Sequence, residues 1–222
     1  MASWIVHLRV AEKLLEAWPG LDPAQFAVGN IAPDAGIPDE KWEHFTPPPE
    51  VTHFKGQGEG GLYGDEVFYH RYLAPLVRDA APLRHAFLLG YYCHLVTDNQ
   101  WWLTIGEPTQ KRWAEQFARD KNFIWEVKDD WYGLDFRYVR AHPESVFWKV
   151  FLACSYRADY LDFLPAEAVR QRVEYIRAFY QRDDEAIQAM LSRPYIYLSE
   201  REMDAFVERT AGHLINREFS RI

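Results

Sequence analysis

Sulfur is scarce in this chain, with two cysteines and three methionines among 222 residues. Cys93 and Cys154 lie far apart and make no CxxC pair, so two buried thiols are expected rather than a disulfide. Basic blocks are also missing. The net charge is −8 and the isoelectric point about 5.5, which argues against the nucleic-acid backbone as main partner, and no stable nucleic-acid complex is expected. The opening Met-Ala-Ser-Trp-Ile-Val-His has no basic segment followed by an apolar one, so no signal peptide is read there. The longest apolar stretch, Ala86–Val96, is too short to span a bilayer and contains His94. A soluble cytoplasmic protein without a transmembrane segment is expected. Internal repeats, low-complexity tracts and a convincing set of strand patterns are absent as well.

What is present is apolar and aromatic. Hydrophobic residues make up 48% and aromatics 16%, enough for one sizeable core. The expected fold is all-α: a single domain over 1–222, a multi-helix bundle around a central buried helix. That helix is predicted over Pro82–Gly106, starting behind Pro82 and stopping before Gly106 and Pro108. Apolar side chains lie on most of its sides. His94 and Asp98 nevertheless sit in its middle, four apart and so on one face. A lone buried carboxylate costs several kcal/mol. Two arrangements would satisfy it, a hydrogen-bonded His–Asp pair or a metal ion.

Around this helix the chain reads as follows. Ser3–Trp18 is predicted as a first helix with Ser3 as N-cap and Ile5, Leu8, Ala11, Leu14, Leu15 and Trp18 inward; His7 falls beside that stripe. Asp22-Pro23 opens a short helical turn through Val28. From about residue 30 to 64 regularity gives way to Pro33, Pro38, Pro47, Pro48 and Pro49, then Gly56, Gly58, Gly60, Gly61 and Gly64. A long irregular insert of this kind is a functional loop or lid, or else disordered. Within it Val51-Thr52-His53-Phe54 reads as a short extended piece. Helices are then expected at Asp65–Val77, Glu107–Val127 (fading at Asp129-Asp130, a solvated helix end, and Gly133), Pro143–Tyr156, Pro165–Arg182 and Asp183–Leu191. The last, Ser199–Phe219, opens with a Ser199–Glu202 capping box.

Imidazole and carboxylate donors on rigid elements suit a divalent cation such as zinc. The chain offers His7 on the first helix, Asp34 after Gly-Asn-Ile-Ala-Pro, His53 in Thr-His-Phe, and His94 with Asp98. His85 lies half a revolution from His94 and cannot join it. His70 reads as a surface group, His44 as a loop residue, His142 as turn chemistry and His213 as a core edge. Trp4, Tyr91, Trp101 and Trp102 read as core before substrate platform.

The early helical His7…Ala11, the GNIAPD turn Gly29–Asp34, the THF piece Thr52–Phe54 and GYYCHLVTDNQWW from Gly90 to Trp102 occur in an order and context that resembles the zinc-dependent phospholipase C / S1–P1 nuclease superfamily, in particular its small cytoplasmic phospholipase C-like members. The likeness covers roughly the first half of the chain. It implies that Asp34, His53, His94 and Asp98 hold one metal. It implies too that Asp98 bridges to a second site completed by His7 and the amino terminus, and that Asp34 is the general base for an attacking water. The implied cofactor is zinc, one or two ions, with manganese or iron compatible with the same donors. The implied activity is hydrolysis of phosphoester bonds, on a small phosphoester or phospholipid-headgroup substrate. The family's secreted enzymes expose an N-terminal Trp and carry a third metal on a later His followed by HxxxE. Here Met1 or Ala2 stands at the start, and no HxxxE occurs. The competing reading is a helical binding or scaffold protein that keeps a metal without catalysis. An HD-type phosphohydrolase would need an adjacent His-Asp pair, and the chain has none.

Overall fold

Pro82 supplies a first helical position whose missing N–H costs nothing, and the nearly uncharged run behind it stays helical. The computed structural model describes residues 1–41, 43–76 and 80–219. In chain order the helices are α1 (Trp4–Ala17), α2 (Pro23–Gly29), α3 (Pro49–Thr52), α4 (Asp65–Phe68), α5 (Pro82–Trp101), α6 (Glu107–Arg112), α7 (Ala114–Arg119), α8 (Phe123–Ala141), α9 (Ala166–Tyr180), α10 (Glu185–Ser192) and α11 (Glu200–Phe219). Among the described residues the strands are one two-residue antiparallel pair, β1 (Ile37–Pro38) and β2 (Phe45–Thr46). The fold is all-α, and α5 is its centre: every residue from Ala86 to Asn99 is buried. No helix among the described residues is long and apolar enough to cross a membrane.

The crossing of α2 over α5 decides where the site lies. A Cβ on Gly29 would stand 2.1 Å from the Phe87 carbonyl oxygen, and one on Gly90 would stand 2.3 Å from that of Phe26. Only glycine permits backbone on backbone at that range. The Asn30–Asp34 turn that follows α2 is thereby laid directly on α5.

The described residues of the insert are held against α5 at three points. His94 Nδ1 meets the Asn30 carbonyl at 2.7 Å. The Tyr91 hydroxyl donates to the Thr52 carbonyl at 2.5 Å. The Asn99 amide exchanges hydrogen bonds with the Tyr63 backbone, at 2.9 Å and 3.0 Å. The expected extended piece at Val51–Phe54 is instead the short helix α3, with His53 at its C-cap. Pro49 at the first helical position outweighs the strand preference of Val51 and Thr52. Phe54 then turns with φ 51° and packs edge-on to Phe68 and Phe163.

Other boundaries differ for local reasons. Ser3 precedes α1, but its hydroxyl donates to Asp135 Oδ1 at 2.8 Å rather than capping its own helix. The central helix does not stop at Gly106 or Pro108. A π-helical turn over Trp102–Gly106 carries it into α6, with the Glu107 N–H bonding five residues back to Trp102 O. The wider turn gives room to a proline ring that would clash in an α-helix. The expected helix over 107–127 breaks at Trp113 and again at residues 120–122. The end expected for the helix at Val77 lies outside the described residues.

Asp129-Asp130 is not a solvated end but the middle of α8. Asp130 is buried and accepts the Ile196 and Tyr197 backbone N–H groups at 2.6 Å each. Gly133 leaves room for the Tyr195 ring, which a Cβ would approach to 2.7 Å. The helix expected at Pro143–Tyr156 shrinks to a π-helical turn, Phe147–Phe151. There Arg177 takes over the Phe151 and Cys154 carbonyls at 2.8 Å and 3.0 Å, so no further helical turn is needed. The Ser199–Glu202 capping box forms as read, with the Ser199 N–H donating to Glu202 at 2.8 Å. Cys93 and Cys154 are both thiols, the first buried and the second half-buried.

Candidate metal centre

The five predicted side chains arrive on four separately fixed segments of backbone. Asp34 ends the tight Ala32–Asp34 turn after α2, and its N–H bonds the Ile31 carbonyl. His53 caps α3 and turns Nδ1 back to the Pro49 carbonyl at 3.1 Å, with the Thr52 hydroxyl at 3.0 Å. His94 and Asp98 share one face of α5, and His7 projects from α1. The chain brings all five together.

His53 Nε2 and His94 Nε2 are 3.2 Å apart. Asp34 Oδ1 is 3.4 Å from the first and 3.9 Å from the second. Asp98 Oδ2 is 3.5 Å and 3.4 Å from the same two atoms. An ion bound tetrahedrally at about 2.0–2.1 Å spaces its donors about 3.3 Å apart. Four of these five separations lie close to such an edge, and the fifth, Asp34 to His94, is longer. On the other carboxylate oxygen, His7 Nε2 lies 3.4 Å from Asp98 Oδ1, and the His7 ring stacks on His94 at 3.8 Å. Asp98 thus faces His94 and His53 with one oxygen and His7 with the other, as a bridging carboxylate would. Ligand atoms of His7, His94 and Asp98 lie within 4.8 Å of one another, as do those of Asp34, His53 and His94.

The hydrogen bonds of the rings make the same demand. Backbone carbonyls can only accept, so His94 and His53 carry their protons on Nδ1. Their Nε2 lone pairs then point at each other and at two carboxylates, an arrangement that calls for a cation between them. Neither ring nitrogen of His7 has a hydrogen-bond partner, nor does Asp98 Oδ2, though all are buried. Such groups are costly when left alone. The residues present fit a divalent metal, and these buried histidines and aspartates could hold one.

The charges agree. Burial disfavours both carboxylates' charged forms, yet His94 and His53 around Asp34 hold its carboxyl below the usual range. For Asp98 the nearby chain terminus and His94 overcome burial in the same direction. Burial lowers His94, and Asp98 and Asp34 together more than reverse that, leaving it raised. His7 is pushed down to about 4 by burial and by His94, so it is neutral and able to ligate near pH 7.

Of the two amino-terminal residues, Met1 is exposed, and the Ala2 nitrogen donates to Asp98 Oδ1 at 2.7 Å. His70 is exposed beside Glu66, and His44, His142 and His213 are exposed too; none of these joins the cluster.

A cavity of about 190 Å³ opens on the Asp34–His53 side, lined also by Trp4, Tyr132, Lys128 and Arg172. Trp4, expected in the core, is instead half-buried in this wall. Lys128 and Arg172 escaped the sequence reading because they lie far downstream of the motifs, on helices whose pattern is ordinary. Asn30 and Asn99 escaped it as well, although each stands inside a quoted motif, while Tyr91, read as core, is buried as expected and also anchors the insert. No protein-family model, curated protein or solved structure matches this chain.

Proposed function

We propose that this protein is a metal-dependent hydrolase of phosphoester bonds, phospholipase C-like in chemistry, with zinc as its metal. One observation carries the reading: five histidine and aspartate side chains from four separate segments converge beside a small open cavity, with most measured separations near the edge length of a tetrahedral ion site. Asp34, His53, His94 and Asp98 would hold one ion, and Asp98 with His7 a second. Imidazole and carboxylate together suit zinc, with manganese or iron accepted by the same donors. A bound divalent ion supplies an acidified water and neutralises phosphoryl oxygens.

The chain's own residues do the rest. Asp34 and His53 are the donors that line the cavity, and in this reading Asp34 would accept the proton of an attacking water as general base. His94, fixed by Asn30, and His53, fixed by Pro49, hold their Nε2 atoms toward the reacting centre. The cavity is below the usual range for drug-sized ligands, about 300–1,000 Å³, which favours a small phosphoester or a phospholipid headgroup.

A catalytically reduced binding or scaffold protein is the second reading, favoured by the complete burial of His7, His94 and Asp98. Elemental analysis of the purified protein, followed by assay of generic phosphodiesters and monoesters with zinc or manganese, separates the two. Metal with turnover supports the hydrolase. Metal without turnover supports the scaffold, and a metal-free protein that hydrolyses neither ester defeats both.

A further inference from the structure

Arg172 and Lys128 are the two cationic side chains in the cavity wall, presented by α9 and α8. The Arg172 Nε is buried with no hydrogen-bond partner. Its guanidinium lies over Trp4 at 5.6 Å, Phe45 at 5.6 Å and Tyr175 at 5.8 Å. Lys128 Nζ sits 4.8 Å from the Trp125 ring. Neither cation is ion-paired with a carboxylate among the described residues, whereas most of the other described arginines are. Apart from Asp34 at the metal centre, no acidic side chain lines the cavity.

A half-buried guanidinium with unused donors is a ready receptor for a carboxylate or phosphate, which it can grip with two parallel hydrogen bonds. The opposite specificity is blocked. A quaternary ammonium head is recognised by aromatic faces or by a carboxylate. Here the faces of Trp4 and Phe45 already carry the protein's own cation, and no carboxylate is to spare.

We infer that Arg172 and Lys128 form an anion clamp, so that the preferred substrate is a phosphoester bearing a second anionic group, and not one with a choline-like or neutral head. The inference rests on the hydrolase reading for the position of the reacting phosphoryl group, at Asp34 and His53. The second anion would lie toward α8 and α9, and the clamp would set KM more than kcat.

Equilibrium binding to the zinc-treated protein tests this without turnover. The probes are phosphoglycolate, propanediol bisphosphate, phosphocholine and ethyl phosphate, titrated into wild type, Arg172→Gln and Lys128→Gln. Metal content and thermal midpoint are measured on each protein. Both probes with a second anionic group should bind at least about tenfold tighter than phosphocholine and ethyl phosphate, with that margin lost in either variant while metal content is unchanged. A preference for phosphoglycolate over the bisphosphate, or the reverse, identifies a carboxylate or a phosphate as the second group. Equal binding of phosphocholine, or a margin that survives both substitutions in folded protein, overturns the clamp. The two proposals fail separately. A protein that hydrolyses esters but ignores the second charge loses only the clamp; one that shows the margin without any bound metal loses only the metal centre.

Discussion

Gly29 and Gly90 meet where α2 crosses α5, so closely that a Cβ on Gly90 would lie 3.1 Å from the Gly29 carbonyl carbon and nearer still to Phe26 O. The contact sets the Asn30 carbonyl against His94 and aims Asp34 at the same point. Gly90→Ala should therefore cost about 3 kcal/mol or more by overpacking backbone against backbone, and should also lower metal affinity. Urea unfolding and metal titration check it. A Gly90→Ala protein of wild-type stability would mean the crossing is looser than described.

Metal should stabilise the fold, since the unfolded chain cannot assemble donors from four segments. At a free zinc concentration a hundred times the dissociation constant the gain is about 2.7 kcal/mol. Chelator should lower the melting temperature accordingly. His53→Ala should lose the ion shared with Asp34, while His7→Ala should retain it and lose only a second. Elemental analysis of the two variants gives the count directly, and identical metal loss from both would rule out separate sites.

Asp34 lines the cavity and ends a backbone turn, so its replacement should spare the core. Asp34→Asn should keep the fold by circular dichroism and lose about a hundredfold or more in kcat. Full activity in that variant would remove Asp34 from the mechanism.

Asp135 should give the stability a pH dependence away from the candidate metal site. It accepts the Ser3 hydroxyl at 2.8 Å and the Tyr180 hydroxyl at 2.5 Å. Burial pushes its carboxyl up to about 7, with those hydroxyls pulling the other way. In the unfolded chain it titrates near 3.9. Between those values the folded protein holds a proton that the unfolded one has released. Its contribution is then complete below about pH 4 and is lost as pH rises through about 7. Asp135→Asn should remove this slope and raise the melting temperature more at pH 8 than at pH 5, each relative to wild type. Parallel curves for the two proteins would place the titration elsewhere.

Asp130 joins the segment after α10 to α8 through the Ile196 and Tyr197 amides. Asp130→Ala leaves two donors without acceptors and should cost about 3 kcal/mol. Urea unfolding should show an earlier midpoint with unchanged slope, and no change in metal content. A midpoint within error of wild type would show that water replaces the carboxylate.

Much of this molecule was written locally. The period of apolar residues, Pro82 behind the central helix and the Ser199–Glu202 box marked helices because propensity, capping and amphipathicity act over a few residues. His94 with Asp98 could be placed on one face by spacing alone, and the insert was legible as an irregular stretch rich in proline and glycine. The five donors could be named from motif order, but not their separations. His53 and His94 are 41 positions apart, and their 3.2 Å approach exists only because two glycines let helices touch and because Tyr91 and Asn99 pin the insert. Tertiary packing likewise carried the central helix past Pro108, turned Asp129-Asp130 from a surface end into a buried tie, and brought Arg172 and Lys128 into the cavity wall. A chain's local chemistry specifies its elements, whereas which side chains share a cavity depends on close approaches between segments that no short window contains.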